Sequence, residues 1–367
     1  MFRIDRRLAA NIEWPLLLLT VLLVGCGLMT ILSATYNEAQ PFSSHFIKQA
    51  IWAGAGFAGL LIAMIFDYRL LHRYGYVVYV AAVFLLVVVH VAGTDGGGAR
   101  RWIGLGPVSL QPSEFMKIAM VIVLATNLHR WAGGAYLSLR KLLAPIALFV
   151  VPGFLILRQP DLGTTILLGL VAFSVLLVAG LRLRIVLLAA LVVGPALPVA
   201  WQQLKPYQQA RITSFLNPQA DPLGAGYHVL QSKIAIGSGM VHGKGYLQGT
   251  QNSLHFLPEQ HTDFVFSVFA EEWGFVGALV LLGLYAALIL RGLVIASKAK
   301  DNLGALLAAG LIATVFWQVF INIAMTSGSM PVVGITLPFL SYGGSSLMAL
   351  LTSIGLVMNV SMRRHVY

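Results

Sequence analysis

Apolar runs of about 20 residues recur along this chain of 367 residues. A helix of that length spans the roughly 30 Å hydrocarbon core of a bilayer, so each run is a candidate membrane helix. Hydropathy predicts ten such helices, of which the fourth and fifth are short and interrupted by polar residues or proline. The predicted helices cover residues 14–34, 46–66, 74–92, 113–129, 143–158, 162–180, 185–204, 265–290, 303–325 and 341–360.

The composition indicates the same class of protein. Hydrophobic residues make up 58% of the chain and charged residues 10%, whereas a soluble domain carries about 25% charged residues. We therefore expect residues 1–367 to form a single all-α polytopic membrane domain, and we exclude an ordinary soluble protein or a secreted disulfide scaffold. The one cysteine, Cys26, cannot form an intrachain disulfide.

The charges are distributed unevenly about the predicted helices. If the N-terminus is cytoplasmic, 15 of the 24 Lys and Arg residues lie on the cytoplasmic side, with only four of the 13 Asp and Glu residues. This is the positive-inside pattern of membrane proteins, and it predicts that both termini are cytoplasmic. The net charge of +11 therefore indicates topology and contact with anionic membrane lipids, and no nucleic-acid partner is expected.

One predicted loop is much longer than the others. Residues 205–264, between helices seven and eight, form a loop rich in Pro and Gly on the outer side. Within it, residues 227–236 are predicted to form a short interfacial helix. Smaller outer loops cover residues 93–112 and 326–344. The large loop is the segment best able to cover an aqueous site.

Asp263 stands where the large loop meets helix eight, beside apolar Phe264 and Phe266. An apolar environment raises the pKa of a carboxyl group toward that of a general base, so Asp263 is a catalytic candidate. The alternative is structural. Because Thr262 or Asp263 directly precedes a long apolar helix, either could cap the N-terminus of that helix.

Two further candidates lie in and after the 93–112 loop. Glu114 and Lys117 are three residues apart and share a helix face; they form either a simple ion pair or a site in which Lys117 meets a phosphate. Ser113 is the expected helix cap. Arg101, with Arg100 before it, suits bidentate binding of a pyrophosphate, although lipid headgroups are an equally good partner.

Other patterns in the sequence are weaker evidence of function. Residues 237–245 resemble a P-loop, but Ser238 stands where the first glycine belongs and Gly245 where Ser or Thr belongs, so we reject that function. The histidines of the large loop lack the spacing of zinc ligands. Glu271 and Glu272 are expected to interact with the dipole of helix eight.

Short motifs are spread over nearly the whole chain: RWI (101–103), QPSE (111–114), QPDLGT (159–164), DPLGAGYH (221–228), QSKIAIGSG (231–239), GKG (243–245), FLPEQHTDF (256–264) and LPFLSYGGSS (337–346). Together they resemble the SEDS family (shape, elongation, division and sporulation), whose topology of ten membrane helices and one large outer loop also agrees. The PVVG run at 331–334, and the absence of a long extension before the first helix, resemble the family's elongation members more than its division members.

This resemblance implies a peptidoglycan glycosyltransferase of the cytoplasmic (inner) membrane. Such an enzyme polymerises lipid II into β-1,4-linked glycan strands at the outer face of that membrane, during cell elongation and cell-shape maintenance. The implied transfer is inverting, with a lipid pyrophosphate as leaving group. Asp263 is then the general base or a carboxylate that orients the acceptor.

The resemblance also implies roles for the basic residues. Arg101 and Lys117 would lie near the pyrophosphate, with Glu114 positioning Lys117, while Lys233 and Lys244 are weaker phosphate-binding candidates. A divalent cation, Mg²⁺ or Mn²⁺, is implied as a cofactor, although the sequence contains no dedicated ligand cluster. Asp263 could therefore be a metal ligand instead of a base.

The implied protein partners are a class B penicillin-binding protein, which is a transpeptidase, and other elongation-complex proteins. We expect the transpeptidase to contact helices eight and nine, near Trp317 and Gln318. The alternative function is a lipid II flippase, because polar residues within membrane helices and many glycines also suit transport. A flippase needs a headgroup site on the cytoplasmic side, where Asp67, Arg69 and His72 are the best candidates.

Overall fold

The computed structural model describes residues 11–37, 41–96, 99–105, 108–132, 136–203, 206–216, 225–250 and 260–364. A long helix stands at each of the ten predicted segments, which confirms the helical fold class. The observed helix ends differ from the predicted ones by a few residues. The largest difference is in the helix that begins at residue 265, which continues to residue 297. The long helices are α1 (Trp14–Ala34), α2 (Ser44–Ile65), α3 (Leu70–Ala92), α4 (Pro112–Leu128), α5 (Leu139–Arg158), α6 (Leu162–Val178), α7 (Leu183–Gln203), α10 (Val265–Ser297), α11 (Asn302–Thr326) and α12 (Gly344–Met362).

Seven of the described helices are long and apolar enough to cross a membrane: α1, α2, α3, α5, α10, α11 and α12. Their outward faces carry large apolar side chains, such as Val91 and Ile51, which are 75% and 67% exposed. A surface of this kind requires lipid, so the chain is a multi-pass membrane protein. The crossing of the membrane by the other three long helices stays a prediction.

α11 and α12 form the centre of the bundle. The most apolar stretches of these two helices are 72% and 89% buried, against 28% for α2, α3, α5 and α10. Small residues allow the close packing. A Cβ atom at Gly310 of α11 would lie 2.6 Å from Val121 of α4 and 2.7 Å from Val175 of α6. As in other membrane bundles, glycine at the contact lets three helices approach closely.

Two outer loops contain regular structure. The smaller loop, in which no strand was predicted, holds a three-stranded antiparallel sheet in the order β1 (Thr94–Gly96), β2 (Ala99–Leu105), β3 (Val108–Leu110). The sheet brings the start of β2 back to the bundle. The large loop contains helices α8 (Pro206–Leu216) and α9 (Ala225–Ser238), so the predicted short helix at 227–236 is confirmed and is longer than expected.

The opposite end of the bundle is closed by polar contacts. Asn359 of α12 donates to the carbonyls of Ala63 and Met64 at the end of α2, at 2.6 and 3.1 Å. Glu13 accepts from Arg291 at 2.7 Å and from Ser361 at 3.0 Å. Burial alone would raise the pKa of Glu13, but these hydrogen bonds outweigh it and hold the pKa below its ordinary value.

Helix α10 is interrupted at Gly274, where the sequence predicts a continuous helix. Gly274 has φ +65° and ψ −164°, a conformation that residues with a Cβ atom rarely adopt. The break leaves N–H and C=O groups without partners inside the helix, and residues 240–245 of the large loop supply them. Its backbone bonds are Lys244 N to Glu271 O (3.0 Å), Gly245 N to Glu272 O (3.0 Å), Phe275 N to Met240 O (2.8 Å) and Val276 N to Val241 O (3.1 Å).

We predict that Gly274→Ala destabilises the protein by at least about 2 kcal/mol, because alanine at this φ is strained by about 1–2 kcal/mol. In addition, its Cβ atom would lie 2.2 Å from the backbone nitrogen of Gly243. Thermal unfolding of the purified protein in detergent measures the change. Gly283→Ala is the control on the same helix, because a Cβ atom at Gly283 meets no atom within 4 Å and should leave stability equal or higher. Equal melting temperatures for the two variants would contradict the prediction.

Candidate active site

A cavity of about 340 Å³ lies at the end of the bundle where α2, α4, α6, α10 and α12 begin. The positive-inside pattern predicts that this is the outer end. Four residues singled out in the sequence line it together: Arg101, Glu114, Lys117 and Asp263. These residues come from β2, from α4 and from the segment before α10, so the fold brings together groups that are up to 162 positions apart.

Glu114 and Lys117 lie on the first turns of α4. Lys117 Nζ is 2.7 Å from Glu114 Oε2, and both side chains are at least nine-tenths buried. The pair is therefore an ion pair and also part of the cavity wall, so the two interpretations of the sequence are compatible. The prediction that Ser113 caps this helix is wrong. The N-cap position is Gln111 and no side chain caps the helix, so Ser113 has no such role.

Asp263 does not stand at the N-cap position of α10. The helix begins at Val265 and its N-cap residue is Phe264, whose side chain makes no capping hydrogen bond, so neither Asp263 nor Thr262 is the predicted N-cap residue. The Asp263 carboxylate instead faces Gly334, where an added Cβ atom would lie 3.3 Å from Asp263 Oδ2. Gly334 has φ +73°, and the absence of a side chain there leaves room for the carboxylate.

Arg101 is held by main-chain carbonyls next to the start of α6. Its Nε donates to Gln159 O at 3.1 Å and its Nη2 donates to Pro160 O at 2.5 Å. Two of the five N–H donors of the guanidinium thus fix its plane at the cavity wall. Asp161, which also lines the cavity, caps α6 by accepting from the backbone N (3.0 Å) and from Oγ1 (2.8 Å) of Thr164.

The two remaining lysine candidates lie outside this cavity. Lys244 Nζ is 2.6 Å from Glu271 Oε1 and 2.6 Å from Thr250 Oγ1, so it anchors this part of the large loop to α10. Lys233, on α9, lies against Gly328, where an added Cβ atom would meet its Cε at 2.0 Å. Glu271 and Glu272 are buried. Glu272 accepts from Ser33 of α1, so both carboxylates bind side chains. They lie just before the break at Gly274 and outside the first turn of α10, where an interaction with the helix dipole was expected.

Arg211 and Gln318 are among the polar residues of the cavity that the sequence interpretation missed. Arg211, on α8, adds a third cation to the wall. Gln318 of α11 was expected at the partner surface, but it is 1% exposed and lines the cavity. Trp317 donates to Ser174 of α6 at 2.9 Å. A detectable signal existed for Gln318, because an amide within an apolar membrane helix usually faces a polar partner or a cavity. Arg211 had no comparable signal.

Three aromatic and imidazole rings cluster beside Asp263. Tyr342 lines the cavity, and its ring centroid is 5.1 Å from that of His45 and 5.7 Å from that of His261. Burial raises the pKa of Tyr342 above its ordinary value. Its phenol, which is protonated at neutral pH with or without this shift, can donate a hydrogen bond.

Within the part of the chain that the structure describes, no group of three or more His, Cys, Asp or Glu residues has the arrangement of a metal site. Of the three carboxylates in the cavity wall, Asp161 is engaged as a helix cap and Glu114 is paired with Lys117. The donor set therefore suits only a cation that takes most of its ligands from water or from substrate. Mg²⁺ commonly binds in this way, through one or two carboxylates and substrate phosphates.

Comparison with known proteins identifies the family. The FTSW_RODA_SPOVE family, described as "Cell cycle protein", matches residues 14–366. The chain belongs to this family. The resemblance to the SEDS proteins, the group to which these names refer, is thereby confirmed.

Relatives in this family resemble the chain in sequence and in fold. This chain is 47% identical over 287 residues to the peptidoglycan glycosyltransferase MrdB of Escherichia coli K12, and the match covers 78% of this chain and 77% of the relative. A chain from a solved peptidoglycan synthase complex, described as coordinating polymerization and crosslinking, matches with a TM-score of 0.83 and 33% identity, covering 97% and 99% of the two chains. The crystal structure of RodA from Thermus thermophilus matches with a TM-score of 0.72 and 30% identity, covering 96% and 98%.

We predict that Lys117→Met and Glu114→Gln each destabilise the protein by about 3–5 kcal/mol, because each leaves a buried charge or polar group without its partner. The double variant should recover much of this loss. A double-mutant cycle on melting temperature in detergent measures the coupling. The control is Arg69→Met, which removes a half-exposed pair with Asp301 at 3.7 Å and should cost at most about 1 kcal/mol. Additive losses from Lys117→Met and Glu114→Gln would contradict a coupled pair.

Proposed function

We propose that this protein is a peptidoglycan glycosyltransferase that polymerises lipid II at the outer face of the cytoplasmic membrane. The observation that carries the proposal is the convergence of Asp263, Arg101 and Lys117 on one cavity. The family adds the class of reaction, because relatives such as MrdB of Escherichia coli bear the name peptidoglycan glycosyltransferase. By its likeness to the elongation members, the enzyme acts in cell elongation and shape maintenance.

The transfer needs a base. The 4-hydroxyl of the acceptor GlcNAc attacks C1 of the donor MurNAc, the bond from C1 to the lipid pyrophosphate breaks, and the configuration at C1 inverts to give a β-1,4 link. A sugar hydroxyl is a weak acid, so its proton must be removed as the new bond forms. Asp263, held beside Gly334 at the cavity wall, accepts that proton in our proposal.

The departing pyrophosphate needs positive charge. Arg101, Lys117 and Arg211 line the same cavity, and fixed cations that face a developing negative charge lower the barrier most where water is excluded. Arg101 offers its remaining N–H groups as a fork suited to phosphate oxygens. Glu114 holds Lys117 in place through their 2.7 Å contact. Lys233 and Lys244, which lie outside the cavity, have no direct part in this proposal.

A divalent cation, Mg²⁺ or Mn²⁺, is proposed as a cofactor that would neutralise the pyrophosphate when bound. Asp263, which lines the cavity, is the carboxylate that we propose as its protein ligand, with water and phosphate oxygens as the other ligands. The protein's own contribution is independent of the ion. Arg101 and Lys117 bind the phosphates, and the apolar bundle below the cavity excludes bulk water.

The flippase alternative is less well supported. Its cytoplasmic headgroup candidates are engaged in contacts between helix ends: Asp67 pairs with Arg363 at 3.6 Å, and Arg69 with Asp301 at 3.7 Å. His72 packs against His129, with ring centroids 4.4 Å apart. These contacts join loops to neighbouring helices, and none of the three candidates lines the cavity.

A class B penicillin-binding protein is the proposed partner, together with other elongation-complex proteins. The solved relative from a peptidoglycan synthase complex supports a shared assembly. A groove of about 660 Å³ between α10 and α11 is lined by apolar side chains that include Leu282, Phe316 and Phe320. We propose that the membrane helix of the transpeptidase packs there, on the outside of the bundle and away from Gln318.

Asp263→Ala and Asp263→Asn are predicted to lower the rate of lipid II polymerisation at least about 100-fold, because a general base contributes roughly 10²–10⁴-fold. The assay uses the purified protein with its transpeptidase partner and follows glycan strands on gels. Asp67→Asn is the matched control, a carboxylate at the other end of the bundle, and should polymerise at the wild-type rate. Near wild-type polymerisation by folded Asp263 variants would refute the base assignment. Lipid II translocation without polymer from the wild type would favour the flippase.

Removal of divalent ions should also slow the reaction. With EDTA we expect the polymerisation rate to fall at least tenfold, in the range of a lost electrostatic contact to the leaving group, and to return on addition of excess Mg²⁺ or Mn²⁺. Addition of Ca²⁺, which prefers more ligands and longer bonds, is the control for ion selectivity. A rate that is unchanged in EDTA would count against a cation cofactor.

A further inference from the structure

The segment that carries Asp263 is held through its main chain. It belongs to neither a helix nor a strand, so its carbonyls have no partners in regular structure. Three successive carbonyls nevertheless accept hydrogen bonds, each from a different residue of the last third of the chain. These bonds run from Tyr342 N to His261 O (2.8 Å), from Ser341 Oγ to Thr262 O (2.6 Å) and from Asn322 Nδ2 to Asp263 O (2.9 Å).

Asn322 differs from the other two donors. It stands inside the central helix α11, it is fully buried, and its Nδ2 donates a second hydrogen bond, to Ile335 O at 2.7 Å. Ile335 lies in the other irregular segment of the cavity wall. One amide group therefore joins two main-chain segments of the site to a central helix of the bundle.

The two carbonyls bound by Asn322 lie on either side of the reacting carboxylate. Asp263 belongs to one segment, and Gly334, the residue that its Oδ2 faces, directly precedes Ile335 in the other. The distance between the Asp263 carboxylate and Gly334 thus depends on where the two N–H groups of Asn322 hold these two segments of the main chain. A side chain of the same size without two donors cannot make both bonds.

We infer that Asn322 is a positioning residue that sets the location of the Asp263 carboxylate by binding the carbonyls of Asp263 and Ile335. The inference rests on the proposed function, in which Asp263 is the base. Asn322 itself does not touch the substrate. Its effect is on the rate of the chemical step, because a displacement of about 1 Å at a reacting group can cost about 100-fold in rate.

The test uses two substitutions of similar volume. Asn322→Leu removes both donors. Asn322→Asp keeps the shape, with one donor at most when the carboxyl is protonated and none when it is ionised. We expect kcat for lipid II polymerisation to fall about 10–100-fold in each, with KM within about twofold of the wild type, because substrate contacts stay in place.

Thr326→Val is the matched control. Thr326 lies one turn further along α11, is also fully buried, and its hydroxyl binds only carbonyls of its own helix among the described contacts, at Asn322 and Ile323. It should keep the wild-type kcat. If Asn322→Leu fails to fold, Asn322→Asp decides the question, since it preserves packing. Folded Asn322 variants with wild-type kcat, or with a change in KM alone, would overturn the inference.

Combination with Asp263→Ala separates positioning from general destabilisation. If Asn322 acts through Asp263, Asn322→Leu should not lower the residual rate of Asp263→Ala any further, because the group it positions is already gone. A further loss of the same size as in the wild type would overturn the inference. Failure of the proposed function has a different signature, which is an Asp263→Ala variant that still polymerises lipid II.

Discussion

Irregular backbone close to a membrane must find its hydrogen-bond partners within the protein, because the hydrocarbon offers none. This constraint shapes the outer end of the molecule. The cavity wall is largely non-helical, and polar side chains from the bundle satisfy it. Gln49 of α2, for example, donates to Ser341 O at 3.2 Å and accepts from Gly343 N at 3.1 Å. Buried Gln49 and Asn322 thus act as anchors for the loops that form the site.

The same requirement explains which parts of the fold were predictable. Long apolar helices satisfy their own backbone, so hydropathy alone locates all ten of them. The break at Gly274 was not predictable in this way, because its partners come from residues 240–245 of the large loop and hydropathy does not register them. The small sheet was missed for a similar reason. Its strands have three to seven residues, too few for a clear alternation of polar and apolar positions.

The site was partly predictable, and the limits are physical. Charged residues in a membrane protein are costly, so Glu114, Lys117 and Asp263 stood out in the sequence. The resemblance to a family added their roles, which the geometry of the cavity supports. Spacing could not decide whether Asp263 caps α10, since a turn before the helix and a cap look alike in sequence. Arg211 reaches the cavity only through the fold of the large loop. Lys244 lies outside the cavity, where it pairs with Glu271.

The interruption of α10 also has a mechanical consequence. The helix consists of a short upper part that follows Asp263 directly and a long lower part whose outer face borders the apolar groove on α11. Four backbone bonds from one loop join both parts, so tilting one part against the other requires breaking these hydrogen bonds. The joint is therefore stiff. Movement of the lower part in the plane of the membrane is then passed on to the upper part and to Asp263, the proposed base, which precedes it.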